Sequence, residues 1–171
     1  GSTMAGEDEL VLRALREVRS VRPDVRLVLA PRRPERFADV PALAAAAGFR
    51  CVRRSTLGGA TWREGEVLLL DTVGELAGVY ALATVVFVGG SLVPTGGHNV
   101  LEAAVCGKAV VVGPHMENFQ EIANEFRAEG ALVQIDSAKR LGPETLALIQ
   151  DEERRDSIGR RARAPLDRNR G

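Results

Sequence analysis

The 171-residue sequence predicts an α/β fold, a doubly wound Rossmann-like parallel sheet. Three observations predict it. Short, wholly apolar runs alternate with stretches of helical spacing. The runs show no polar alternation, as strands covered on both faces require. Glycines and prolines punctuate the joints between them. The composition, 45% hydrophobic and 27% charged, is that of an ordinary globular domain. The length fits one domain with a core large enough to stand without staples.

The elements follow in order. Leu10, Val11, Ala14, Leu15 and Val18 recur at helical spacing, and Glu7, Asp8 and Glu9 suit the positive end of that helix. Pro23-Asp24 breaks it, and Val25 to Ala30 reads as a buried strand. Pro31 to Pro34 is a loop, and Glu35 to Ala47 a second helix closed by Gly48. Phe49 to Arg53 is strand-like, Thr56 to Gly65 a glycine-rich loop, and Val67 to Leu70 a third strand. A short helix, Gly74 to Leu82, precedes a fourth strand at Val85 to Val88. Val100 to Cys106, closed by Gly107, leads into a fifth strand at Ala109 to Val112. Asn118 to Glu129, closed by Gly130, leads into a sixth at Ala131 to Ile135. Pro143 to Arg163 reads as one or two charged helices, with fraying from Pro165 onward.

Several function classes are disfavoured. Lysine plus arginine (23) balances aspartate plus glutamate (23), so no net charge draws the chain to nucleic acid or anionic lipid. No apolar run is long enough to span a bilayer. Cys51 and Cys106 have neither zinc nor redox spacing and read as small core residues. Two histidines far apart argue against a histidine metal site, and no metal or cofactor is expected. Gly89-Gly90-Ser91 is not a dinucleotide fingerprint in the first strand–helix unit, and there is no nucleophile elbow.

Ligands of such sheets bind at the carboxyl ends of the strands. After the first strand come Pro31, Arg32, Arg33 and Arg36, able to grip phosphate or simply to form a solvated turn. After the third come Asp71, Thr72, Val73, Gly74 and Glu75, where Asp71 or Thr72 can cap the next helix and Glu75 complete the cap. After the fourth, Gly89-Gly90-Ser91 and Gly96-Gly97-His98-Asn99 surround a close backbone approach and a helix start suited to phosphate. Asn99 and Glu102, three apart, share a helix face, and Glu102 can accept both hydroxyls of a ribose. The plainer reading makes Asn99 a cap and Glu102 a partner of the helix dipole. His115 can line the same cleft or lie at the surface. Trp62 covers core or meets a partner domain.

These motifs resemble the C-terminal domain of 3-deoxy-D-manno-octulosonic acid (Kdo) transferases. The resemblance runs through Pro31 to Phe37, Asp71 to Leu76, Phe87 to Val93, Gly96 to Asn99, Leu101-Glu102, Gly113-Pro114-His115 and Asn118-Phe119, and Gly1-Ser2-Thr3 with Gly6-Glu7 fits the family's opening. It departs from the pattern at Met4 and Arg33, where His is usual, and at Val100, where Pro is usual. The resemblance implies the C-terminal half of a glycosyltransferase-B fold, with residues 1–171 forming the nucleotide-sugar domain. It implies CMP contacts at Pro31, Arg32, Val73, Gly74, Glu75, Asn99, Val100, Leu101 and Glu102. Ser91, Gly96, Gly97 and His98 complete the expected binding set. The catalytic glutamate base would lie in an N-terminal domain absent from this chain, so no catalytic residue is expected here. That domain would also dock the lipid A precursor and the cytoplasmic face of the inner membrane, leaving this part soluble. Other readings are a UDP-sugar glycosyltransferase domain or a non-catalytic nucleotide-binding module. The family's fold places a strand just ahead of Gly1. A central sheet position is therefore filled either by another segment or by residues outside these 171.

Overall fold

A computed structural model describes residues 1–169. Helix α1 (Glu7–Val21) leads to β1 (Leu27–Leu29), then a short 3-10 turn at Pro34–Arg36 and α2 (Val40–Ala46). Next come β2 (Cys51–Arg53), α3 (Arg54–Leu57), β3 (Val67–Leu69), α4 (Leu76–Leu82), β4 (Val85–Phe87) and α5 (Leu101–Val105). The chain continues through β5 (Ala109–Val112), a 3-10 turn at Glu117–Phe119, α6 (Gln120–Ala128), β6 (Val133–Gln134), α7 (Leu141–Gln150) and α8 (Glu152–Arg168). All strand pairs are parallel, as crossover helices between them require.

The predicted single sheet is two. One has the order β1-β3-β2 and the other β4-β5-β6. β1 and β4 do not pair with each other; Leu27 to Leu29 and Val85 to Phe87 face one gap. The first three residues bridge it at its carboxyl end. The Gly1 amine donates to the Phe87 carbonyl (2.6 Å), Gly89 N–H to the Gly1 carbonyl (2.7 Å) and Thr3 N–H to the Ala30 carbonyl (3.2 Å). Thr3 thus pairs with Pro31 as a parallel bridge.

Burial on both faces explains the all-apolar strands. In β5, Ala109 and Val111 join one core with Leu12, Leu29 and Leu69, while Val110 and Val112 join the other with Val88, Val100 and Met116. Each such buried aliphatic chain contributes about 1.5–3 kcal/mol of transfer free energy. Helix α1 packs on α7, and α8 covers α5 and β5.

Several expected boundaries move. Pro34 opens a single 3-10 turn instead of a long helix, and α2 starts at Val40 with Pro41 in its first turn. Arg54–Leu57 is helical where a loop was expected to follow directly. Pro165 lies inside α8, so the helix continues through the expected fraying to Arg168. Proline removes one backbone donor there, but the fully buried Ala162 and the half-buried Leu166 hold this turn against the core. The end of the predicted frayed tail, residues 170–171, lies outside the described residues. Cys51 and Cys106 are free and half-buried against the two cores, as read. Burial pushes the Cys51 thiol above its ordinary pKa.

Candidate nucleotide site

The loops after β1 and β4 meet at the amino-terminal segment. Arg32 N–H donates to the Thr3 carbonyl (2.8 Å), while Gly89 bonds Gly1 on the other side. Pro31 is buried beneath this junction and the Arg32 side chain is exposed. Ser2 has φ 58, a strained conformation for a residue with a side chain. The Tyr80 hydroxyl backs onto Gly1. Burial pushes the Tyr80 phenol up to about 12, and the negative charge of Glu102 adds to the shift. On the β4 side, burial and then the positive charge of Arg32 hold His98 below its ordinary pKa. Arg32, which follows β1, thus faces His98, and Glu102, in the helix after β4, faces Tyr80 on the carboxyl rim.

The glycine loop is tightly knit. Gly97 N–H (2.8 Å) and the Thr95 hydroxyl (2.9 Å) both donate to the Gly90 carbonyl. Gly97 adopts φ 78, and a Cβ there would sit 2.5 Å from the Met116 sulfur and 2.9 Å from the His115 carbonyl. Only glycine permits that crossing. Gly96 is buried against Asn118. His98 Nε2 is buried with no hydrogen-bond partner.

The helix that follows is shorter than expected. It spans only Leu101–Val105, so Gly96-Gly97 stand several residues ahead of it and Asn99 lies outside it. Asn99 and Glu102 do not share a helix face. The Asn99 side chain instead accepts from Leu101 N–H (2.9 Å), a local turn just ahead of the helix, whose N-cap position is Val100. Val100 is fully buried in the core, Leu101 half-buried and Glu102 exposed.

Ser91 takes a different place from the one expected. It is fully buried; its hydroxyl donates to the Val88 carbonyl (2.7 Å) and accepts from Gly113 N–H (2.9 Å). Together the two bonds tie the end of β4 to the end of β5 beneath the loop. The third loop is corrected too. Neither Asp71 nor Thr72 caps α4. Asp71 accepts from Ser55 N–H (2.8 Å) and its hydroxyl (2.6 Å), tying β3 to α3. Burial works against its ionised form, but these Ser55 bonds hold its pKa below the ordinary value. The Thr72 hydroxyl donates to Glu75 (2.5 Å), and Arg54 lies 3.2 Å away. Together they hold the Glu75 carboxyl low. Val73 and Gly74 are exposed beside them. His115 follows its plainer reading, with its ring 3.3 Å from Glu117. Trp62 lies under the Arg26 guanidinium at 5.3 Å.

Glu7 does more than complement the helix dipole. It is fully buried and accepts from the N–H groups of Met4 (2.8 Å), Gly90 (2.6 Å) and Leu92 (3.0 Å). The signal was present in the sequence. Glu7 stands one turn ahead of Val11 on the apolar stripe, where a carboxylate must find buried donors. Next to it, Asp8, also fully buried, accepts from the Thr3 hydroxyl (2.6 Å) and pairs with Arg36.

Parallel strands, crossover helices and a glycine loop at the carboxyl edge define a Rossmann-like domain whose ligand site lies at that edge. The chain belongs to the group 1 glycosyl transferases, whose family model matches residues 64–164. It is similar to the 3-deoxy-D-manno-octulosonic acid transferases of Bordetella pertussis (38% identical over 166 residues) and Haemophilus influenzae (37% over 171). These matches take in 95% and 99% of the chain but only 39% and 40% of those proteins, so the chain spans about two fifths of their length. Its structure is similar to the crystal structure of the C-terminal CMP-Kdo binding domain of WaaA from Acinetobacter baumannii. There the TM-score is 0.89 at 36% identity, over 96% of this chain and 86% of that one. The expected family and the C-terminal half of a glycosyltransferase-B fold are thereby borne out. Among the described residues no helix is long and apolar enough to cross a membrane.

Proposed function

We propose that this chain is the donor-nucleotide domain of a glycosyltransferase that moves Kdo from CMP-Kdo to a lipid A precursor in lipopolysaccharide synthesis. The observation that carries the reading is the likeness, at TM-score 0.89, to a domain described as binding CMP-Kdo. The meeting of the loops after β1 and β4 at the amino-terminal segment supports it. In this reading Arg32 and the loop N–H groups take the phosphate, and Glu102 accepts the ribose hydroxyls. Backbone groups of Val73, Gly74 and Glu75 meet the base, with Pro31 and Asn99 to Leu101 shaping the floor.

The reaction is an inverting transfer. A carboxylate base from another domain removes the proton of an acceptor hydroxyl, whose oxygen attacks the anomeric carbon. The bond to the CMP phosphate oxygen breaks with its electron pair. Positive charge at Arg32 meets the charge growing on that phosphate, an electrostatic contribution. Closure of the two domains aligns the reactants and excludes water. The other domain carries the lipid acceptor and the contact with the cytoplasmic face of the inner membrane.

Calorimetric titration with CMP, UMP and UDP tests the donor. CMP is expected to bind best; UDP binding tenfold more tightly than CMP would assign a UDP-sugar instead. Glu102→Ala is expected to weaken CMP binding by about 1–3 kcal/mol, the cost of leaving ribose hydroxyls unpaired. Unchanged affinity would point to a non-catalytic module.

A further inference from the structure

We propose that Glu7 is a positioning residue for the nucleotide loop, acting through Gly90 and Leu92 without touching the ligand. The inference rests on the donor reading above for its link to binding, and on geometry alone for its link to the loop. The carboxylate divides its oxygens. Oε1 accepts from Met4 and Gly90 N–H, and Oε2 from Leu92 N–H. Three donors from two distant parts of the chain thus converge on one fully buried acceptor-only group.

The bonds continue from there to the rim. Gly90, held by Glu7, receives Gly97 N–H and the Thr95 hydroxyl on its carbonyl. The Thr95 carbonyl receives the Asn118 side-chain amide (3.2 Å), and the Gly96 carbonyl receives Asn118 N–H (3.0 Å). The Gly90 backbone also backs directly onto the His98 ring. Release of the Gly90–Leu92 turn therefore releases Gly96, Gly97 and His98 together. A hydroxyl could not substitute for the carboxylate, since one small oxygen cannot reach both sides of the turn. Glutamine could not either, since its NH₂ would confront a backbone N–H.

The test compares Glu7→Gln with Leu12→Ala in the 171-residue chain. Leu12 is fully buried on the same helix and makes no contact with the loop through hydrogen bonds, so its truncation controls for lost stability. Hydrogen exchange at 15 °C reads the loop. In Glu7→Gln the Gly90, Leu92 and Gly97 amides are expected to exchange at least tenfold faster relative to amides of β5, but not in Leu12→Ala. CMP titration under the same conditions is expected to show at least tenfold weaker binding for Glu7→Gln and binding within twofold of wild type for Leu12→Ala. Unchanged loop exchange in Glu7→Gln, or the same change in both variants, overturns the proposal. Binding by Glu7→Gln within twofold of a wild type that binds CMP overturns it as well. A wild type that binds no CMP defeats the donor reading instead, and loop exchange still decides the role of Glu7.

Discussion

Replacing Gly89 with alanine probes the junction on which the site is built. A Cβ at that position would lie 2.5 Å from the Ser2 carbonyl oxygen, 2.7 Å from Thr3 Cα and 2.8 Å from the Ser2 carbonyl carbon. All three are backbone atoms, so no side-chain rotation relieves the contact. The first three residues must move outward by about 1 Å to restore ordinary van der Waals spacing. That displacement stretches the Gly89–Gly1 bond (2.7 Å) and the Arg32–Thr3 bond (2.8 Å), each contributing about 1 kcal/mol. Overpacking adds about 1–3 kcal/mol, for a total near 4 kcal/mol. Gly74→Ala is the matched comparison. Gly74 has φ 86 with nothing within 4 Å of its added Cβ, so only left-handed strain of about 1–2 kcal/mol is expected. Urea unfolding, followed by far-ultraviolet circular dichroism and by the fluorescence of the single tryptophan, measures both. In a domain of this size each kcal/mol moves Tm by about 2–4 °C. If Gly89→Ala proves no less stable than Gly74→Ala, the amino-terminal segment does not join the two sheets as described.

Two further substitutions separate structure from binding. Ser91→Ala strips the Gly113 N–H of its buried acceptor and should cost about 1–3 kcal/mol in urea unfolding, with CMP affinity held within twofold. A large affinity loss at wild-type stability would restore Ser91 to the ligand-facing set. His98 supplies a pH signature. Its folded pKa lies below the ordinary histidine value, so the unfolded chain takes up the extra proton first. Its contribution to stability is whole above about pH 6.5 and is lost as pH falls through that value towards the folded pKa. The Tm of wild type should therefore drop more steeply than that of His98→Gln between about pH 7 and about pH 5. Equal slopes would mean that the imidazole is solvated and not pressed against Gly90.

The sequence by itself determined the alternation of elements and the places where loops carry function. Apolar runs such as Ala109 to Val112 announce strands buried on both faces, because only such strands tolerate apolar residues at consecutive positions. The glycine pairs mark where backbone must approach backbone, and Gly97 against the His115 carbonyl does so. Tertiary structure decided the rest. That Gly1 bonds Phe87 while Thr3 bonds Ala30 is a pairing of segments far apart in the chain, which no local pattern encodes. The same holds for Ser91, whose hydroxyl is as apt for a ligand as for Val88 and Gly113 until the strands are placed. Glu7 shows the two levels meeting. Its register on the apolar stripe was legible, but its partners at Gly90 and Leu92 exist only once helix α1 is packed against the fourth strand's loop, because a buried carboxylate takes its donors from whatever the fold brings to it.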